Sequence, residues 1–343
     1  MTVHLISVGK SVIDALAKPR EKLRGNRDLA ADISDVHPAG MLTREGILDH
    51  QRDLASAWLT AALAPPGNPV RDQLKADRLA EAARRIRPGL WPDDFSAEVG
   101  TFVRMPGTRR PVPEEDIAVL VCSDTATGLL AGVWNALALT YGALDRLLYI
   151  ADPADSAEQL GGARGRVVIA RVPGMDVGDD RGFRQAMGAL GVLARELFTH
   201  GQLEQAEPFQ FCLSGGYKAT IPYLIGLAEA VRSIDKRRLD ELGAVGLMPG
   251  NGSPYPVNAY VLHEEASKPI RLPLRRLLPE AVRDELAGFG SDGIRRQKGK
   301  PDPGTLEGYA YEAEGPARKE TCELTAFGVG LRELLGVPDE VHG

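Results

Sequence analysis

Pro208-Phe209-Gln210-Phe211-Cys212-Leu213-Ser214-Gly215-Gly216-Tyr217-Lys218-Ala219-Thr220-Ile221-Pro222-Tyr223 contains a strand, a turn and a helix start in one short run. Residues 208–213 are mostly apolar, with Phe209 and Phe211 two apart, which suits a pleated, buried strand. Ser-Gly-Gly ends that run, and an apolar stretch at 221–231 has helical character. A strand passing through glycines into a helix is the repeating unit of α/β proteins. At such a junction, backbone N–H groups and the helix dipole converge on an anion. Lys218 adds a mobile positive charge there. The segment therefore reads as a phosphate grip.

Similar apolar runs occur at residues 3–8, 117–122, 146–150, 166–170 and 258–262, with helical patterns at 128–139, 180–198 and 221–233 between several of them. This alternation predicts βαβ units and a mainly parallel sheet with helices on both faces. About a hundred residues separate the first two strands. Within that gap, residues 44–63 and 71–86 read as amphipathic helices broken by Pro65-Pro66-Gly67, so residues 19–94 form a helical insertion. Past residue 262, Ile270-Arg271-Leu272-Pro273 suggests a chain leaving the sheet. Residues 279–287 read as a helix, 291–304 as a polar loop or linker, and 305–336 as a strand pair followed by a helix.

The chain of 343 residues is long enough for one large or two modest domains, and its 43% hydrophobic content is that of an ordinary globular protein. No apolar run approaches the roughly 20 residues of a membrane span, and the first residues lack the basic and cleavage features of a signal peptide. Cys122, Cys212 and Cys322 are widely spaced and match no metal or disulfide pattern, which predicts a reduced, cytoplasmic chain with buried thiols. The scattered histidines form no metal constellation. A net charge of −6 argues against a general nucleic-acid coat but leaves room for a local basic pocket.

Three strand ends carry small polar residues and glycine: Ser7-Val8-Gly9-Lys10-Ser11, Ser123-Asp124-Thr125-Ala126-Thr127-Gly128, and the Ser214-Gly215-Gly216-Tyr217-Lys218 segment. Ligands of open α/β sheets bind outside the carboxyl ends of the strands, so three such turns in one sheet can line one crevice. Gly9-Lys10-Ser11 is not a P-loop, because His4 stands where the cradle's first glycine is required. Asp124 or Thr125 can equally cap the helix that follows. Arg195 and His200 match an R-x4-H spacing found in some ribonucleases, but they sit at a helix end that leads into a strand, where a histidine simply complements the helix dipole.

Taken in order, these pieces resemble a CRISPR-associated Rossmann fold (CARF) protein, of the subgroup that includes ring nucleases. The likeness runs from about residue 3 to 274. Leu5-Ile6-Ser7-Val8-Gly9-Lys10-Ser11 is similar to the family's opening strand and turn, Phe95-Ser96-Ala97-Glu98 to its Ser-Ala-Glu segment, and Val119-Leu120-Val121-Cys122-Ser123-Asp124-Thr125 with Gly128 to its second strand and turn. Ser214-Gly215-Gly216-Tyr217-Lys218 with Ile221-Pro222-Tyr223 is the most specific match. Ala259-Tyr260-Val261-Leu262-His263-Glu264 followed by Arg271-Leu272-Pro273 resembles the closing strand.

The resemblance implies a Rossmann-like ligand-binding domain over 1–274 and a homodimer that binds cyclic oligoadenylate, with cyclic tetra-adenylate favoured, across its two-fold axis. It implies Ser11 and Lys218 as the catalytic residues. Gly9, Lys10, Ser123, Asp124, Thr125, Thr127, Gly128, Ser214, Gly215, Gly216, Tyr217, Ala219 and Thr220 would surround the ligand. Lys10 replaces the family's usual small hydroxyl residue. An RNA ring carries its own nucleophile in the ribose 2′-hydroxyl, so neither metal nor cofactor is required. The same family includes pure sensors that act as transcriptional regulators or drive an effector. Residues 275–343 resemble a small winged-helix domain. From residue 301 onward, nine acidic residues face three Lys or Arg, which disfavours DNA there, although 271–300 is basic. No membrane contact is expected.

Overall fold

Val, Ile, Leu and Ala fill the predicted strands at 117–122 and 166–170 almost without alternation, as in strands covered on both faces. The computed structural model shows that arrangement. It describes residues 1–13, 36, 42–43, 46–47, 51–65, 68–74, 76–86, 93, 96–175, 179–200, 208–216, 221–243, 257–262, 266–277, 279–296, 304, 306–314 and 321–338.

The elements run β1 (Val3–Ser7), β2 (Leu42–Thr43), β3 (Gly46–Ile47), α1 (Arg52–Leu63), α2 (Pro69–Gln73), α3 (Asp77–Ala83), α4 (Ala97–Phe102), β4 (Ile117–Cys122), α5 (Ala126–Thr140), β5 (Leu147–Ile150), α6 (Ala157–Gly161), β6 (Val167–Arg171), α7 (Asp180–His200), β7 (Phe209–Cys212), α8 (Ile221–Gly243), β8 (Val257–Val261), β9 (Ile270–Leu272), α9 (Pro279–Leu286), β10 (Ile294–Arg296), β11 (Tyr311–Glu314), β12 (Thr321–Leu324) and α10 (Ala326–Leu335). Among the described residues, no helix is long and apolar enough to cross a membrane.

The main sheet has the order β5-β6-β4-β1-β7-β8-β9. Its first six strands are parallel, in a Rossmann-like α/β arrangement, and β9 is antiparallel to β8. β1 is central, and the chain fills one side of it before crossing from β6 to β7 on the other. The boundary between β1 and β7 is therefore the topological switch point, where open α/β sheets form their ligand crevice.

Each strand's alternate residues enter different cores. Ile6, Leu120, Cys122 and Ile169 pack with α5, with Trp58 and Leu59 of α1, and with Val99 and Phe102 of α4. Val3, Leu5, Phe209 and Phe211 face the other way, onto α7, α8 and the C-terminal elements. Burying a large apolar side chain is worth about 1.5–3 kcal/mol, and this period-two partition fixes which face each helix must cover.

Several boundaries differ from the sequence reading. The first insertion helix begins at Arg52, because Gly46–Ile47 pairs with Leu42–Thr43 instead. The second is two helices: Asn68 caps Pro69–Gln73 by accepting from Val70 N, and a separate helix starts at Asp77. Residues 270–272 do not leave the sheet but turn back along β8 as an edge strand. Residues 291–304 are not wholly loop, since Ile294–Arg296 pairs with β12.

The C-terminal elements form a three-stranded antiparallel sheet, β10-β12-β11, with α9 and α10 beside it. They share a core with the main sheet's helices. Phe327, Leu331 and Leu334 of α10 join Met187 and Leu190 of α7 and Leu224 and Leu227 of α8. Glycines make the α7–α10 approach close: a Cβ on Gly191 would run into the Gly330 carbonyl, and one on Gly330 would lie 2.8 Å from the Met187 carbonyl oxygen. Polar ties reinforce the seam. Arg184 pairs with Glu323 at 2.7 Å, and Arg195 Nη1 donates to the Glu333 carbonyl at 3.0 Å.

Candidate functional site

β1 ends in Ser7, and Ser11–Ile13 is helical, leaving Val8, Gly9 and Lys10 as the connecting turn. This turn lies directly against the one that follows β7. A Cβ on Gly9 would lie 2.5 Å from Gly216 N, and a Cβ on Gly215 would strike Glu98 Oε1 and the Ser7 carbonyl. Gly216 has φ +92°, a backbone conformation natural to glycine. Ser7 Oγ donates to the Gly215 carbonyl at 2.6 Å and lies 3.2 Å from the Cys212 carbonyl. The double glycine thus has a definite cause: the two strand-end turns pack too closely for a side chain on Gly9 or Gly215, and Gly216 supplies the positive φ of the turn.

Glu98 joins the two turns. Its side chain is buried, with the residue 1% exposed. Oε1 accepts from Gly9 N at 2.6 Å, and Oε2 accepts from Ser11 Oγ at 2.6 Å. Ser11 Oγ in turn accepts from Ala97 N at 3.1 Å. Local sequence explains how Glu98 arrives there. Ser96 caps α4 by accepting from Val99 N at 3.1 Å and donates to Asn135 Oδ1 at 2.7 Å, anchoring the helix start to α5. Burial pushes the Glu98 carboxyl above its ordinary range, and the bonds from Ser11 and Gly9 partly offset this.

The second turn, after β4, is also at the crevice, because β4, β1 and β7 are adjacent. Ser123 Oγ lies 3.0 Å from Thr125 Oγ1, and Thr125 caps α5 by accepting from Gly128 N at 3.0 Å. A Cβ on Gly128 would strike Ser123 Oγ. Thr127 is half-buried on the same helical turn. Asp124 is buried and engaged: Gly174 N donates to it at 3.1 Å, Arg52 Nη1 at 3.2 Å, and Arg171 Nε stands 3.6 Å away. The insertion helix α1 thereby reaches the ends of β4 and β6 through Arg52.

The structure therefore brings Gly9, Ser11, Ser214, Gly215 and Gly216 together at the β1/β7 switch point, with Ser123, Asp124, Thr125, Thr127 and Gly128 at the neighbouring strand end. Lys10 is exposed on the first turn. Ser214 Oγ accepts from Leu262 N at 2.7 Å, which ties this turn to the end of β8. Tyr217, Lys218, Ala219 and Thr220 lie outside the described residues.

Glu98 is the residue that reasoning from sequence left out of the site. A signal for it was present: an acid directly before Val99-Gly100-Thr101-Phe102, a run that must be buried. Arg195 and His200 are accounted for without chemistry, since Arg195 bonds Glu333 and His200 Nε2 lies 3.2 Å from Glu196 Oε2 on its own helix. Cys122, Cys212 and Cys322 are buried free thiols.

No protein-family model matches the chain, and no curated protein matches it.

Proposed function

We propose that the protein is a CARF-type ring nuclease. It binds cyclic oligoadenylate between the paired crevices of a cytoplasmic homodimer and opens the ring to linear products ending in a 2′,3′-cyclic phosphate. One observation carries the reading: Ser11 is held by a buried carboxylate at the topological switch point, where the turn after β1 packs against the double-glycine turn after β7. A phosphodiester suits a strand-end crevice of this kind, where strand-to-helix turns favour an anion.

The chemistry asks little of the protein. The ribose 2′-hydroxyl attacks the neighbouring phosphate in line, so the protein's work is to hold that geometry and to stabilise charge on phosphorus. In this reading Ser11 orients the attacking ribose and Lys218 neutralises the phosphate. Removing one such charge-stabilising donor typically lowers the rate by about 10²–10³-fold.

The test is incubation with cyclic tetra- and hexa-adenylate in EDTA, with products resolved by chromatography. Linear products from the wild type and a loss of that size in Lys218→Ala are expected. Intact rings after prolonged incubation with excess protein would overturn the reading, and full activity in Lys218→Ala would overturn the assignment of the lysine.

A second reading, a non-cleaving sensor, draws on the C-terminal junction. Glu229 of α8 accepts from Arg275 N at 3.0 Å, Arg275 Nη2 at 2.9 Å and Tyr309 OH at 3.1 Å. This cluster links the helix after the double-glycine turn to the C-terminal unit. If that unit is a winged helix that reads DNA, binding to the protein's own promoter will depend on the ring.

A further inference from the structure

Glu98 is a buried acid for which the proposed function has as yet no use. Among the described residues it forms no ion pair. A serine hydroxyl has one hydrogen and two lone pairs. Ser11 commits its hydrogen to Glu98 Oε2 and one lone pair to Ala97 N–H. The second lone pair is left, on a side chain that is only half-buried.

We propose that Glu98 is the proton acceptor behind Ser11: Ser11 Oγ takes the proton of a ligand hydroxyl as it passes its own to Glu98 Oε2. Glu98 is then a positioning residue, acting on the ligand only through Ser11. This rests on the cleavage reading above and supplies the base which that reading lacks.

The proton balance closes. The ribose 2′-oxygen bonds to phosphorus, and the bond from phosphorus to the 5′-oxygen breaks. The 2′ proton moves to Ser11 Oγ and the Ser11 proton to Glu98 Oε2. The departing 5′-oxygen takes a proton from water, and Glu98 returns its own to solvent when the product leaves. No water is consumed and nothing is oxidised.

Among the described residues, the groups packed around Glu98 are neutral or exposed. Cys212 of β7, whose Sγ lies 3.9 Å from the Glu98 carbonyl oxygen, is pushed up to about 12 by burial. Cys122 of β4 is pushed higher still by burial and by Glu98. Both remain neutral thiols. α5 contributes the neutral Asn135 through Ser96, α4 itself adds Ser96 and Thr101, and Lys10 on the first turn is exposed. Burial raises the carboxyl, and a base poised toward neutral pH is the effective kind.

The test is the pH–rate profile for cyclic tetra-adenylate with the full-length protein. The wild type should show an acid limb set by one ionisation above the ordinary carboxylate range. Glu98→Gln, which keeps the shape and the bond from Gly9 N, should abolish that limb and lower kcat by about 10²–10⁴-fold with KM unchanged. An active wild type whose acid limb survives in Glu98→Gln overturns the role of Glu98 alone. An inert wild type overturns the cleavage reading and the transfer step together. If Glu98→Gln fails to fold, infrared titration of the buried carboxyl in wild type and Ser11→Ala decides. A midpoint moved by the loss of Ser11 supports the dyad, and an unmoved one overturns it.

Discussion

A carboxyl group shut away from water, with no cation partner among the described residues, has consequences for stability as well as chemistry. In the window between Glu98's ordinary pKa and its raised folded value, the native state holds a proton that the unfolded chain has released. Stability then falls as pH rises through that window. Asp116 works in the opposite sense. Burial opposes its ionisation, but His4 Nε2 at 3.4 Å and Thr2 N at 2.7 Å outweigh this and hold its pKa low. Its contribution is present above the ordinary carboxylate value and is lost as pH falls. Urea midpoints measured across pH should therefore show a decline as pH rises above the ordinary carboxylate value in the wild type that Glu98→Gln lacks, with the decline below that value common to both. Parallel curves above the ordinary carboxylate value would refute the buried-acid assignment. Sequence reasoning named Glu98 but gave it no place in the site, because periodicity says that residues 99–102 are buried but not which strand end their helix start will meet. Ser11, Gly215 and Gly216 were readable, because glycine pairs and hydroxyls at strand ends carry their own local signal.

At the scale of elements, the buried strands were the most readable part. Residues 117–122 are apolar throughout, and that run is β4 without adjustment. Short or polar elements were not readable. Pro269 and Pro273 bracket only three residues of β9, and Arg295 and Arg296 make β10 look like linker. Arg295 is nonetheless ordered, stacked over Phe289 with its guanidinium carbon 4.7 Å from the ring centre, a tertiary contact invisible to local pattern. The α7–α10 seam shows the same limit, for its glycines matter only once the two helices meet. Gly191→Leu should destabilise the fold by about 1–3 kcal/mol or more, since overpacking forces backbone to move. Gly161→Ala, at a helical site where an added Cβ meets nothing within 4 Å, should be neutral or gain up to about 1 kcal/mol. Thermal melts of the two variants would check the contrast, and equal shifts would contradict the seam.

For the whole molecule, strand order is what gives the three turns a common location. The α/β class followed from alternating strand and helix patterns, whereas the order β5-β6-β4-β1-β7-β8-β9 depends on long-range pairing that no local pattern encodes. If two such crevices share one ring, as proposed, titration calorimetry should give one cyclic tetra-adenylate per two chains, and sedimentation should give twice the chain mass. A stoichiometry of one ring per chain would exclude the shared ring. The C-terminal unit is bound into this architecture rather than appended to it. Its helix α10 packs in one core with α7 and α8, so a chain ended at Leu274 would expose Met187, Leu190, Leu224 and Leu227 to water. Such a stripe is adhesive. The shortened protein is expected to accumulate as insoluble aggregate, while the two portions produced together as separate polypeptides should dissolve as one particle. The sheet unit, on this account, is not a module that can be cut out and transplanted.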